Sequence, residues 1–310
     1  MYRHLLVTVD GTPGGIDAIG HALELARAVG ARVTFMLPGA APDSRLSGAR
    51  LPEHGAKVEA AARAQGLSHA IAGAGHPAAG DVAPGALAAE LGCDLIGVAA
   101  LPHDADAAAC AQRRLLLATS GVPVLVCTSR RTPAEARVMA RCLDAHRAVG
   151  RLLHALMASG ANADVYAPQQ QAADMQDALA SLAALQRARV GTAAEARLFA
   201  ALRVRAECVA AELDELDRQR QRDAQALDAL VRIAADGLPS AAFDTALARY
   251  AHGAFEQMGR MEGVIFPAAR RYLGDADWAG LDESLADGAV ATPPRANEPN
   301  DPDDARRASD

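Results

Sequence analysis

Lysine is almost absent. Lys57 is the only one in 310 residues, so arginine supplies nearly all of the positive charge. A P-loop is thereby excluded, because its phosphate-reaching lysine must follow glycine and Lys57 follows Ala56. A Schiff-base enzyme would have one candidate amine. Aromatic residues are 3% of the chain while apolar residues are 51%, so alanine and aliphatic side chains must fill the cores, which points to helices and tight packing. The five cysteines (93, 110, 127, 142 and 208) are odd in number and lack metal-type spacing, which reads as buried thiols in a reducing compartment. No apolar run approaches the about 18 residues of a membrane span. No leader precedes the first strand, so a soluble, cytoplasmic protein is expected. Neither Gly-x-Ser-x-Gly, nor a Ser-His-Asp order, nor Cys-x-x-Cys occurs. A basic face is missing too. The net charge is −7; residues 1–130 hold 10 basic and 11 acidic groups, and 282–310 hold 3 and 8. Nucleic-acid binding has no electrostatic support.

What is present begins with alternation. "HLLVTVD" (4–10) is a short β-branched apolar run closed by Asp10-Gly11. "IDAIGHALELARAVGA" (16–31) has helical spacing. Strands are predicted at 32–37, 69–75, 94–100 and 122–128, and helices at 54–66, 83–92 and 106–119. Strands that are apolar on both faces and alternate with helices predict an open parallel α/β sheet, covered on both sides. The ligand crevice of such a sheet lies at the carboxyl ends of its strands. Here Val9, Asp10, Ala99 and Ala100 would line it.

The stretch "LLVTVDGTPGGIDAIGHALELARAVGARVTFML", followed later by "LGCDLIGVAA" and "GVPVLVC", resembles the universal stress protein family over residues 1–130. The resemblance implies a five-strand sheet and, in some members, ATP binding. Those members carry Gly-x2-Gly-x9-Gly-(Ser/Thr) after the fourth strand, whose glycines let the backbone approach phosphate. In this chain no glycine lies between Gly97 and Gly121. The first two motif positions fall on Ala99 and Pro102, and Pro102 has no amide hydrogen to donate. ATP binding in the family manner is therefore not expected. Asp10 either caps the turn after its strand or survives from a nucleotide crevice.

"CTSRRTPAEAR" (127–137) is polar and leaves the last strand, which sets a linker at 131–136. From there the period becomes 3.6. Helices are expected at 134–158, at 173–188 running on toward a turn near 201–206, from that turn to Ala235, and at 238–273 with a bend at Pro267. A short capped helix follows at 275–285. Four helices with short connections predict an all-α up-down bundle over 137–287. Residues 288–310 are rich in Pro, Asp and Asn and predict a disordered acidic tail.

The segments "CLDAHRAVGRLLHAL", "EARLFAALR", "ELDELDRQRQRDAQAL" and "VIFPAARRYLGDADWAGL" resemble the four helices of the hemerythrin-like (HHE cation-binding) family. That family holds two irons between its helices on histidines and carboxylates. Carried over residue by residue, the resemblance leaves His146, Glu195, Asp223 and Glu262 at ligand positions. Val190, Arg220, Gln221, Gln257, Met258 and Met261 stand where others would be expected. Two readings follow: His146 is a buried histidine bonded to Glu262 or Asp223, or it holds a single metal with those carboxylates. His154 lies eight residues on, roughly 80° round the helix, and is expected to face solvent. Apolar substitutes for lost ligands let the helices pack as an ordinary core, since uncompensated buried carboxylates are costly.

The expectation is a non-enzymatic stress-response or regulatory protein without a cofactor, a homodimer through the edge strand 122–128. Two alternatives stand beside it. One is an oxygen, nitric-oxide or redox sensor with iron at His146, Glu195, Asp223 and Glu262. The other is an ATP-binding switch using Asp10 and the 99–102 loop.

Overall fold

The computed structural model describes residues 2–9, 12–37, 53–72, 83–128, 131–161, 168–191 and 194–290. Five strands, β1 (His4–Thr8), β2 (Arg32–Met36), β3 (His69–Ala72), β4 (Leu95–Ala99) and β5 (Val124–Cys127), form one parallel sheet in the order β3-β2-β1-β4-β5. Helices α1 (Pro13–Val29), α2 (Glu53–Ala64), α3 (Pro84–Leu91) and α4 (Ala107–Thr119) make the crossovers. Their caps follow from local chemistry. The Thr12 hydroxyl accepts from Gly15 N, and Gly30, at φ 70°, takes the left-handed conformation that ends α1. β1 and β4 lie at the centre, with every residue of β4 buried, which explains their unbroken apolar runs. The predicted alternation holds; β2, β4 and β5 are one to three residues shorter than the runs predicted for them, and residues 10 and 73–75 lie outside the described residues.

The described residues that follow are mostly helical: α5 (Pro133–Ala161), α6 (Pro168–Gly191), α7 (Ala194–Arg205), α8 (Ala210–Ala235), α9 (Ala241–Arg260), α10 (Phe266–Tyr272) and α11 (Asp275–Val290). Helix α5 starts inside the stretch expected to be a linker. Residues 288–290 continue α11, and 291–310 lie outside the described residues. α5 packs on α6, α6 on α8, α8 on α9 and α9 on α5. The turn expected near 201–206 falls at Ala206–Val209, where a short 3₁₀ turn feeds α8.

The bend at Pro267 takes a particular form. Proline has no amide hydrogen and its ring excludes the carbonyl of residue i−4, here Gly263. The helix answers by widening into a π turn over Met261–Ile265 before restarting as α10. The Gly263 carbonyl accepts instead from Gln65 Nε2 at 2.8 Å, across the chain on the α2 side.

That bond belongs to a broad seam. α2 lies along α9, and α1 lies against the π turn. The approach is close enough to require glycine: a Cβ on Gly259 would sit 2.2 Å from the Lys57 carbonyl oxygen, and one on Gly263 2.3 Å from Ala61 Cβ. Ile16 of α1 and Ala56 of α2 pack into the apolar clusters of the helical half. The two halves are one packed body.

Candidate functional site

The seam carries a chain of buried charges. On α2, Glu53 and Lys57 stand one turn apart, on one face of the helix. Lys57 Nζ lies 2.9 Å from Glu53 Oε1 and 2.9 Å from Glu262 Oε1. Glu262 comes from the π turn, whose extra residue per turn aims it inward between α2 and α5. His146 of α5 is fully buried and stacks on Phe266, with ring centroids 5.9 Å apart. Its Nδ1 lies 2.8 Å from Glu262 Oε1 and its Nε2 3.2 Å from Glu195 Oε1. Glu195, at the start of α7, receives Arg220 of α8 at 2.7 Å, and that guanidinium lies 4.1 Å over the Phe199 ring. At the other end His154 meets Glu53 Oε2 at 2.9 Å. The sequence from His154 through Glu53, Lys57, Glu262, His146 and Glu195 to Arg220 threads α5, α2, the π turn, α7 and α8.

Electrostatics keep Glu53, Lys57 and Glu262 ionised. Burial alone would raise the Glu262 carboxyl, but Lys57 and the His146 bond hold it below the ordinary carboxylate range. Burial would lower the Lys57 ammonium, yet Glu262 and Glu53 raise it above the ordinary value. Glu53 is brought down to about 2, because the His154 bond and Lys57 outweigh its burial. Pairing of this quality is what buried ions require.

This arrangement tests the four metal positions carried over from the resemblance. His146, Glu195 and Glu262 are brought together; Asp223 is not bonded to His146 and lines a cavity that Glu195 and Arg220 also border. Both nitrogens of His146 face carboxylates, whereas a metal ligand presents a ring lone pair to the ion. Glu262 and Glu195 each already hold a fixed cation. Met258 and Met261 are wholly buried as core. Among the described residues no group of three His, Cys, Asp or Glu is arranged to hold a metal ion. The residues present do not fit an iron pair.

The nucleotide crevice fares likewise. Asp10 lies outside the described residues. The Val9 amide donates to Met36 O at 2.9 Å and the Ala100 amide to Cys127 O at 3.0 Å, so both extend the sheet instead of facing a phosphate. Ala99 is buried, and a Cβ on Gly14 would lie 3.6 Å from it, so the N-terminus of α1 closes that side. A phosphate cradle of the resemblance's kind is not formed by Val9, Ala99 and Ala100. Val9 instead lines a cavity of about 300 Å³ at the seam, with Ile16, Ile19, Lys57, Arg147 and His154.

A second cluster pins α1 to the helical half. Asp17 pairs with Arg131, just before α5, and with Arg270 of α10, while Glu135 lies 3.3 Å from Arg270. Burial pushes the Glu135 carboxyl up despite Arg270 and Arg131. Burial raises the Cys93 and Cys127 thiols to about 11, so these two offer no nucleophile. His154 is half exposed and stacks on Phe255 at 5.7 Å, while His252 lies 3.6 Å from Glu256 at the surface. Sequence reasoning passed over Glu53, and it noted Lys57 and Arg220 without pairing either with its carboxylate. The available signals were a lone lysine set four residues after a glutamate, and an arginine standing at a ligand position.

Comparison with known proteins adds little. No family model matches the chain, and no curated protein matches it. Among solved structures, a protein of the universal stress protein family from Burkholderia pseudomallei is similar at 23% identity and a TM-score of 0.28, over 40% of this chain and 95% of that one.

Proposed function

We propose that the chain is a non-enzymatic regulatory protein of the stress-response kind. Its helical half is a hemerythrin-like four-helix bundle that has exchanged metal for side-chain cations and docks on the α/β half. One observation carries this reading: Lys57 reaches across the seam to within 2.9 Å of Glu262, a position the resemblance assigns to a metal ligand. Arg220 does the same for Glu195 at 2.7 Å. A protein cation of fixed position neutralises each carboxylate, cannot change oxidation state and offers no open coordination position. The bundle then serves as a rigid body that presents surface. β5 is an edge strand with Val126 partly exposed, which supports self-association through strand pairing. Among the described residues no helix is long and apolar enough to cross a membrane.

The test is elemental analysis of full-length protein purified without chelators or an affinity metal, with its near-ultraviolet spectrum. Trace metal in folded protein is the expected result. Near-stoichiometric iron with an oxo-bridge absorption would overturn the reading. Sedimentation of the same sample tests the dimer.

A further inference from the structure

The cavity at the seam, open to solvent on one side, has two unlike ends. Val9, Ile16, Ile19, Val58 and Leu143 give it a buried aliphatic wall. Along α5 the lining residues run Leu143, Arg147, Arg151 and His154, at spacings of four, four and three. They form one stripe of that helix, about 16 Å long at 1.5 Å per residue. Leu143 is buried and shares an apolar cluster with Ile16, whereas Arg151 and His154 are exposed. The cavity is therefore apolar at its inner end and cationic at its mouth.

The charges around it do not all cancel. Lys57 is held between Glu53 and Glu262, and Glu53 also holds His154. Arg147 meets Asp144 at 3.0 Å, three residues back on the same helix, in a pair open to water and worth little. Among the described residues the Arg151 guanidinium and the His54 ring, which also line the space, have no hydrogen bond or ion pair. Two arginines four residues apart on one helix face repel each other, and an anion set between them relieves that repulsion.

We infer that this cavity binds a small organic monocarboxylate with an apolar body, its carboxylate at Arg147 and Arg151 and its body against Ile16, Ile19 and Leu143. A guanidinium fork meets a carboxylate with two parallel N–H···O bonds. A volume of about 300 Å³ gives room for roughly ten non-hydrogen atoms, at about 30 Å³ per water-sized group. A dianion is disfavoured, because Glu53 and Glu262 line the same space as ionised carboxylates. A neutral molecule leaves Arg151 unanswered. The ligand touches α1 of the sheet half and α5 of the helical half, so binding tightens the docking of one on the other. The inference goes beyond the metal-free reading of the bundle and does not depend on it, since among the described residues Arg147 and Arg151 bond to none of the four carried-over positions.

The probe is phenylacetate, titrated by ligand-observed NMR into full-length protein. Phenylacetamide is its neutral counterpart, phenyl phosphate its dianionic one, and acetate the same charge without the body. Saturable phenylacetate binding, tighter than all three, is expected, with a saturable rise in unfolding temperature. Arg151→Gln removes an exposed side chain without a partner among the described residues. It should weaken binding about tenfold, the scale of a charge-assisted hydrogen bond. Arg114→Gln, an exposed position of α4 on the other side of the sheet, should leave affinity unchanged. Absence of saturable binding, an equal affinity for any of the three counterparts, an unchanged affinity in folded Arg151→Gln, or equal weakening by Arg114→Gln would overturn the inference.

Discussion

The two faces of the sheet carry helices of similar make and opposite fate. On one side α2 buries Gly55, Ala56, Val58, Ala60, Ala61 and Ala62. On the other side α4 has no buried residue, although it contains three consecutive leucines, and Leu115 and Leu117 are 62% and 52% exposed. Apolar content does not decide which face is covered. Small residues do: Gly259 of α9 and Gly263 of the π turn let α2 approach to backbone distance. The covered side also gathers the ions. Glu53, Lys57 and Asp17 would sit on solvated faces in an isolated α/β unit, and here they are partners of Glu262, His154, Arg131 and Arg270.

The comparison breaks most readily at Lys57. Lys57→Met leaves Glu262 and Glu53 without their cation and should cost about 3–5 kcal/mol in chemical unfolding. Next, Gly259→Ala forces α2 and α9 apart by the width of a methyl group and should cost about 1–3 kcal/mol. Acid acts on the same seam in part. Glu53 has a folded-state value of about 2, below the ordinary carboxylate value of 4.5. Its contribution is therefore complete above about pH 4.5 and is lost as pH falls toward about 2. Stability followed by urea melts across that window should decline, and Glu53→Gln should flatten the decline. On the open face, Leu117→Ser should shift stability by no more than about 0.5 kcal/mol. A large loss there would mean that α4 is covered in solution, and the contrast between the faces would fail.

The α/β half was largely legible because its signals are local. Each β-branched run predicts a strand within a few residues, since a strand buried on both faces leaves no polar position to confuse the period. The helical half was legible as elements, and Pro267 announced its bend. What escaped was the response to that bend, a π turn placed ahead of the proline, which aims Glu262 at the seam. The site was half legible. His146, Glu195 and Glu262 do meet, but their cations come from elsewhere in the chain. Lys57 lies 205 residues from Glu262. No periodicity reports a pairing at that range. Alanine on nearly every side of α2 also conceals which face will be covered. Arg220 could be seen at its position, but its partner could not.

The separation of α2 and α9 along the chain bears on how the protein is made. Sheet and crossover helices can form early in synthesis, when the ribosome has yet to deliver Gly259, Glu262 and Gly263. During that interval the alanine face of α2 is wet and open, and N-terminal units that fold first expose such surface to neighbours. Lys57 is not idle while it waits: Glu53, one turn back, holds it by a contact within α2. α9 and its π turn, translated later, meet a face whose lysine already has a partner within its own helix.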